Sequence, residues 1–380
     1  MKKLLFLLII ISIFGCNSNN KASTNGVSQE GYKIIAYVNE WQDSWGEKFE
    51  KATQITHINY AFANIKDGRV IEGLDSDTET LKKLNALKKV NEHLKILISV
   101  GGWSWSGNFS DTVLTKKSRQ VFANSAINFM LKHEIDGIDL DWEYPGQIGA
   151  GNVNRPEDKE NFTAILKLLR KKLDSLSSEN NKYLLTIATG ASQNYLDHTN
   201  MKEAQKYVDF INIMTYDFHT GSEAKTGHHA NFFSSKYDDN EESISAEIAV
   251  EQYIAAGIPA NKIVLGVPFY GRWWKKVNTK NNGLYQPSTG VTGSYNYNSI
   301  ADSLKTDKGF ISYWDSTAAA PYIWRLKDSL FITYENPISI EYKVNYVKEN
   351  QLGGIMFWQF NGDNGTLLKT IFDNLNKTDQ

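Results

Sequence analysis

A single cysteine, Cys16, stands in the 380 residues, so no disulfide closes within the chain. Paired-histidine and Cys–His spacings of the kind that hold a transition metal are missing too. The formal net charge is −2, which gives neither the basic surplus that nucleic acid selects nor an acidic surplus for a cationic partner. The N-terminal apolar run, residues 4–14, is too short to span a bilayer. No glycine-rich phosphate turn follows the first apolar run, where Val38-Asn39-Glu40-Trp41 stands instead; this argues against an open nucleotide-binding sheet. There is no strong internal repeat beyond an alternation of strand and helix patterns, and no low-complexity segment beyond residue 28. No cofactor is expected. Hydrophobic residues make up 41% and charged residues 22%, the balance of a soluble folded enzyme. Aromatic residues are plentiful, with 10 Trp and 19 Tyr, which suits either sugar stacking or a large core.

The N-terminus reads as an export signal. Lys2 and Lys3 precede the apolar run, and Cys16 follows Gly15 directly. Ile13-Phe14-Gly15-Cys16 resembles a bacterial lipobox, in which the cysteine is lipidated and becomes the first residue. Ile13 and Phe14 depart from the commoner leucine and small residue. The expectation is a signal at residues 1–15, a polar tether at 16–30 and a folded domain at 31–376. The protein would sit in the bacterial cell envelope, anchored at Cys16, or be secreted. Membrane contact is expected only through that lipid, and a monomer is expected. The sequons at Asn108 and Asn161 would then be idle.

From Tyr32 onward, apolar runs alternate with amphipathic stretches. The runs are 33–38, 56–63, 94–100, 137–142, 183–188, 208–216, 262–268 and 354–360. Helical spacing marks 80–93, 118–133, 156–176, 243–256 and 341–350. Repeated strand–helix units predict an α/β fold, a closed (β/α)8 barrel. Residues 273–335 break the rhythm. They are rich in Tyr, Trp, Asn and Gly and predict a small α+β insertion before the last strand.

The fourth run carries the chemistry. In Asp136-Gly-Ile-Asp-Leu-Asp-Trp-Glu-Tyr-Pro145, strand alternation sends Asp139, Asp141 and Glu143 to one side. Ile138, Leu140 and Trp142 face the outer helices. Glu143 stands highest, at the C-terminal mouth where barrel active sites lie. Burial and mutual repulsion should keep a proton on the group, as a general acid requires. A solvated acidic edge and a hard-cation site are the other readings.

This run, Asp136-x-x-Asp139-x-Asp141-x-Glu143, resembles the signature of glycoside hydrolase family 18, the chitinase family. Ser99-Val-Gly-Gly102, Met214-Thr-Tyr-Asp217, Gly266-Val-Pro-Phe-Tyr-Gly-Arg272 and Gly353-Gly-Ile-Met-Phe-Trp358 resemble the family's motifs in the same order. The insertion resembles that of the deep-cleft subgroup. The resemblance implies a substrate of β-linked N-acetylglucosamine polymers such as chitin. It implies that Glu143 protonates the glycosidic oxygen while the substrate's own acetamide attacks the anomeric carbon. Asp141 would orient that acetamide, Asp139 would share a proton with Asp141, and Tyr216 would bind the acetamide oxygen. Asp217, Arg272, Trp358 and Tyr144 would touch sugar, with a helix N-cap as the other reading of Asp217 and an ion pair as that of Arg272. Met214, Tyr37, Phe62 and Trp103 are further candidates, each with packing as its alternative. The adjacent His228 and His229 cannot face one ligand on a regular element, so no metal site is expected there. Competing functions are an endo-β-N-acetylglucosaminidase on N-glycans and a chitin-binding lectin; the presence of Glu143 weighs against the lectin.

Overall fold

The computed structural model describes residues 31–40, 49–179, 181–240, 244–305 and 308–377. The signal, the tether and Cys16 lie outside the described residues.

Eight strands carry the frame: β1 (Lys33–Val38), β2 (His57–Lys66), β3 (Lys95–Gly101), β4 (Gly137–Asp141), β5 (Leu184–Gly190), β6 (Phe210–Met214), β7 (Ile263–Pro268) and β8 (Gly354–Trp358). Each pairs in parallel with its neighbour in chain order, and β1 pairs with both β2 and β8. The sheet therefore closes, and the fold is the (β/α)8 barrel that the alternation predicts. A second, antiparallel sheet lies between β7 and β8. Its strands run in the order 292–296, 270–274, 330–333, 320–325 and 311–315, with helix Tyr297–Lys305 beside it.

The alternation of each barrel strand sorts residues into two cores. Outward residues such as Ile96, Ile98, Ile138, Leu140, Ile187 and Leu265 are fully buried under the helices. Trp142 belongs there, stacked on Phe109 at 5.1 Å. Inward residues Ile35, Tyr37, Ala61, Ala188, Phe210, Val264 and Met356 form a smaller cluster inside the barrel. Phe62, Met214, Tyr216 and Trp358 pack on its upper side.

Local chemistry moves several boundaries away from the periodicity. The first barrel helix starts at Asp77, earlier than residue 80. Asp77 is buried, and its carboxylate accepts from Tyr60 Oη at 2.5 Å and from the Gly73 and Leu74 amides. β2 runs on to Lys66 because it turns into a hairpin with Arg69–Ile71. β6 stops at Met214, short of residue 216, because the chain leaves the sheet before Asp217. The last crossover helix begins at Pro337 rather than 341, under an Asn336–Ser339 capping box.

One buried ion pair braces this last helix. Lys343 and Glu335 are at most 1% exposed and bond directly, and Lys343 Nζ also donates to Ala230 O at 2.8 Å. That bond fixes the loop beside His229. Removing one partner strands a buried charge, so Lys343→Met should cost about 3–5 kcal/mol in chemical denaturation. Adding Glu335→Gln should recover most of that loss. A single-variant loss below about 1 kcal/mol would contradict the role given to the pair.

Candidate active site

The C-terminal ends of the barrel strands surround a cleft of about 1180 Å³. Among the carboxylates of the described residues, Asp141, Glu143 and Asp217 line it. Alternation along β4, carried on for two residues past its end, sets the first two there, with Asp139 one layer deeper.

Asp139 is fully buried and fully engaged. Its Oδ2 accepts from Tyr37 Oη at 2.9 Å and Ser99 Oγ at 2.7 Å, and its Oδ1 accepts from Thr186 Oγ1 at 2.5 Å. Burial pushes its carboxyl up, while the bonds from Thr186, Ser99 and Tyr37 pull it down. Asp141 differs: its Oδ1 is buried with no hydrogen-bond partner. Burial, then the charges of Glu143 and Asp139, push Asp141 far above the usual carboxylate range. Glu143 is 8% exposed. Burial raises it to about 7, opposed by a hydrogen bond from Tyr144 and aided by the charge of Asp217.

The backbone under Glu143 is tightly held. Its amide donates to Ser106 Oγ at 2.9 Å, and that hydroxyl lies 2.9 Å from Gly102 O and 3.1 Å from Asp141 O. Gly101 and Gly102 both take positive φ. A Cβ on Gly101 would meet Asp141 O at 2.4 Å, and one on Gly102 would meet the Phe62 ring at 2.5 Å. Non-proline cis peptide bonds stand at Ala61–Phe62, Glu143–Tyr144 and Trp358–Gln359.

The opposite wall carries a fixed charge. Arg272 grips Asp217 through Nε at 2.7 Å and Nη2 at 2.5 Å. Burial opposes the charge on Asp217, yet hydrogen bonds and charges from His229 and Arg272 hold its carboxyl well below the usual range. His229 Nδ1 is 3.5 Å away, a long contact, and burial holds its imidazole down. Arg272 is therefore the cation that matters.

The described residues hold no group of three or more His, Cys, Asp or Glu side chains arranged for a metal ion. His228 and His229 face different carboxylates, Asp315 at 3.4 Å and Asp217 at 3.5 Å.

The sequence profile of the Glycosyl hydrolases family 18 matches residues 33–363. The chain belongs to that family. It is therefore a glycoside hydrolase. This family 18 chain is 36% identical to chitinase A1 of Niallia circulans across 90% of its own length, and it spans 58% of that protein. It is similar in structure to a family 18 N-acetylglucosaminidase from Paenibacillus barengoltzii, with 40% identity and a TM-score of 0.83 over 90% of this chain and 99% of that one. It is also similar to chitinase ChiA74 of Bacillus thuringiensis, with 34% identity and a TM-score of 0.84 over 91% of this chain and 70% of that one.

Within this family 18 barrel, the sugar-site residues singled out from sequence meet at one mouth, with Asp139 a layer below it and Cys16 outside the described residues. Trp358 forms a floor, stacked on Phe62 at 5.5 Å and tilted against Tyr37 at 6.0 Å. Tyr216 leans edge-on against Tyr270 at 6.2 Å, and Met214 lines the same cleft. Trp103 is 53% exposed and meets Tyr144 edge-on at 6.4 Å. Arg272 is an ion-pair partner and a cleft residue at once. Asp217 caps no helix; the next helix, Ala246–Ala255, is capped by Ser245.

Sequence reasoning passed over Thr186, Ser106 and Tyr270. Thr186 sits level with Asp139 across the β4–β5 ladder, so extending the inward parity to neighbouring strands would have found it. Ser106 opens a single 3-10 turn, Ser106–Asn108, after β3 and carried no such signal.

The raised carboxyls have a thermodynamic consequence. A carboxyl raised in the folded state binds its proton more tightly there than in the unfolded chain. Its stabilising contribution is present below about 4.5 and is lost as pH rises through about 7. Glu143→Gln should therefore raise Tm relative to the parent by more at pH 8 than at pH 5. An equal Tm difference at both pH values would show that Glu143 is not raised.

Proposed function

We propose that this chain hydrolyses β-1,4-linked N-acetylglucosamine polymers, with the substrate's acetamide as nucleophile and retention of configuration. The observation that carries this reading is the unpartnered Oδ1 of Asp141, buried beside a glutamate that is half protonated near neutrality. A buried acceptor without a donor is costly unless a ligand supplies one. The N–H of an N-acetyl group at the sugar bound over Trp358 has the right chemistry.

The other carboxylates support the same assignment. Asp217 commits both oxygens to Arg272 and does not serve as an attacking group. Burial and the charges of Glu143 and Asp139 disfavour the ionised form of Asp141, which makes it a poor nucleophile. The Tyr216 hydroxyl has a soft partner, Met356 Sδ at 4.0 Å, and is open to an acetamide oxygen. Glu143 gives its proton to the glycosidic oxygen, and the acetamide oxygen closes on the anomeric carbon. The cyclic oxazolinium ion that forms is stabilised by a hydrogen bond from its ring N–H to the open Oδ1 of Asp141. Water, activated by Glu143 as base, then opens it.

The names of the relatives support the substrate: two are chitinases and one is an N-acetylglucosaminidase. The latter brings a second reading, removal of single sugars from chain ends, because the chain spans 99% of that enzyme. Products from chitohexaose separate the two, as dimers and trimers against monomer alone. Anchorage at the cell envelope through Cys16 belongs to the same proposal. It is supported by Lys2-Lys3, the apolar run and the Gly15-Cys16 junction.

Glu143→Gln should lower kcat on chito-oligosaccharides by about 10²–10⁴-fold while oligosaccharide affinity stays within a few-fold. Proton NMR at early times should show β-anomeric products. Initial α-anomers, or unimpaired turnover in the variant, would overturn the mechanism.

A further inference from the structure

The proposed mechanism fixes a direction along the cleft. β4 and β8 lie opposite one another in the closed ring, so Glu143 faces Trp358 across the mouth. The sugar that is attacked lies on Trp358. The leaving group therefore departs past Glu143, over the loops that follow β4 and β5. There the cleft is lined by Tyr144, Gln147, Ile148 and Asn194.

Three features of that arm need an explanation. Ile148 is 85% exposed, the most exposed large hydrophobic side chain among the described residues. Its loop is nonetheless rigidly tied. Asn152 accepts from Gly149 N at 2.5 Å and donates to Gln147 O at 3.0 Å. Buried Asp158 accepts from Arg155 N at 2.8 Å and from Ser110 Oγ at 2.6 Å. A Cβ on Gly149 would lie 2.3 Å from Glu143 O, so the loop runs hard against the acid's own carbonyl. An apolar side chain on a slack loop would fold down; this one is held up in water at the edge of a cleft.

Beside it, the loop after β4 is clasped to the short helix Gln193–Asp197 that follows β5. Asn194 Nδ2 donates to Gln147 Oε1 at 2.5 Å. This uses one donor of Asn194 and the acceptor of Gln147. Gln147 Nε2 reaches Pro145 O at a weak 3.5 Å and so retains donor capacity. The arm thus presents one methyl-bearing surface next to amide donors and acceptors. An N-acetyl group has the matching form, a methyl joined to an amide.

We infer that Ile148, Gln147 and Asn194 form a subsite for the second sugar on the leaving-group side, and that it reads the N-acetyl group of that sugar. Ile148 covers the acetyl methyl, and the Gln147–Asn194 clasp bonds the amide or the adjoining hydroxyls. This rests on the hydrolase reading above. It adds a specificity that the catalytic carboxylates do not supply, because they act on the acetamide of the attacked sugar alone.

The test compares three substrates on the full chain. Chitotetraose places two sugars on the leaving side. Its analogue with glucosamine at the reducing end lacks the second leaving-side acetyl. An aryl chitobioside has only an aglycone there. Ile148→Ser and Asn194→Ala should lower kcat/KM on chitotetraose relative to the aryl chitobioside by about tenfold, the scale of one hydrogen bond or one buried methyl group. Chitotetraose products should move from dimer pairs toward trimer plus monomer. The parent should prefer chitotetraose over the glucosamine analogue, and Ile148→Ser should lose that preference. Equal losses on all three substrates, or an unchanged product pattern, would overturn the subsite. A parent that cleaves none of them would overturn the hydrolase reading itself.

Discussion

Three acidic side chains on alternate positions of one buried strand cannot all be charged at once. That constraint organises the barrel of this protein. Asp139 and Asp141 lie on the inner face of β4, Glu143 continues that face two residues past the strand's end, and each solves the problem differently. Asp139 takes three hydroxyl donors from three other strands. Asp141 keeps an unpartnered oxygen and is pushed toward the protonated form. Glu143 lies nearest water and titrates near neutrality. Moving the acids by one register step would send them into the outer core, against Phe109 and Phe162 where Trp142 now packs. The apolar residues between them are therefore as necessary to the site as the acids.

The rest of the mouth is built around holding this column in place. Two glycines let β3 pass close to Asp141 O and to the Phe62 ring, where any side chain would collide. Ser106 ties that turn to the Glu143 amide. On the far side, Lys343 and Glu335 brace the Ala230 carbonyl, next to His229 and hence to Asp217. The second sheet contributes Tyr270 and Arg272, which stand on the strand that leaves β7 directly. Scaffold stability and site geometry thus share bonds.

Much of this was legible in the sequence because it follows from periodicity. The eight strands, the inward parity of the acids and the outward face of Trp142 need only alternation and burial. Phe62 is different. By parity with Ile58 and Tyr60 it belongs outside the barrel. The β2–β3 register slips between Ala61 and Ala63, which frees Phe62 to stack on Trp358. A slip of one residue leaves no mark in the amino-acid string. The same holds for the left-handed turn at Asp217 and for the Gln147–Asn194 clasp. Each is set by contacts between segments far apart in the chain, which local composition does not report. The early start of the helix at Asp77 had a local cause, a buried carboxylate collecting two loop amides, that periodicity does not weigh.

The two walls of the cleft then act on one another through charge. Arg272 keeps Asp217 ionised, and the negative charge of Asp217 is one of the causes that raise Glu143. A permanent anion on one side thus favours a proton on the other. A neutral Asp217 would relax that pressure and let Glu143 lose its proton at lower pH, just where a general acid needs to keep it. The bidentate grip of Arg272 is therefore more than a structural tie between the insertion sheet and the barrel. It fixes which of the cleft carboxyls is the anion, and so helps fix which one is the acid.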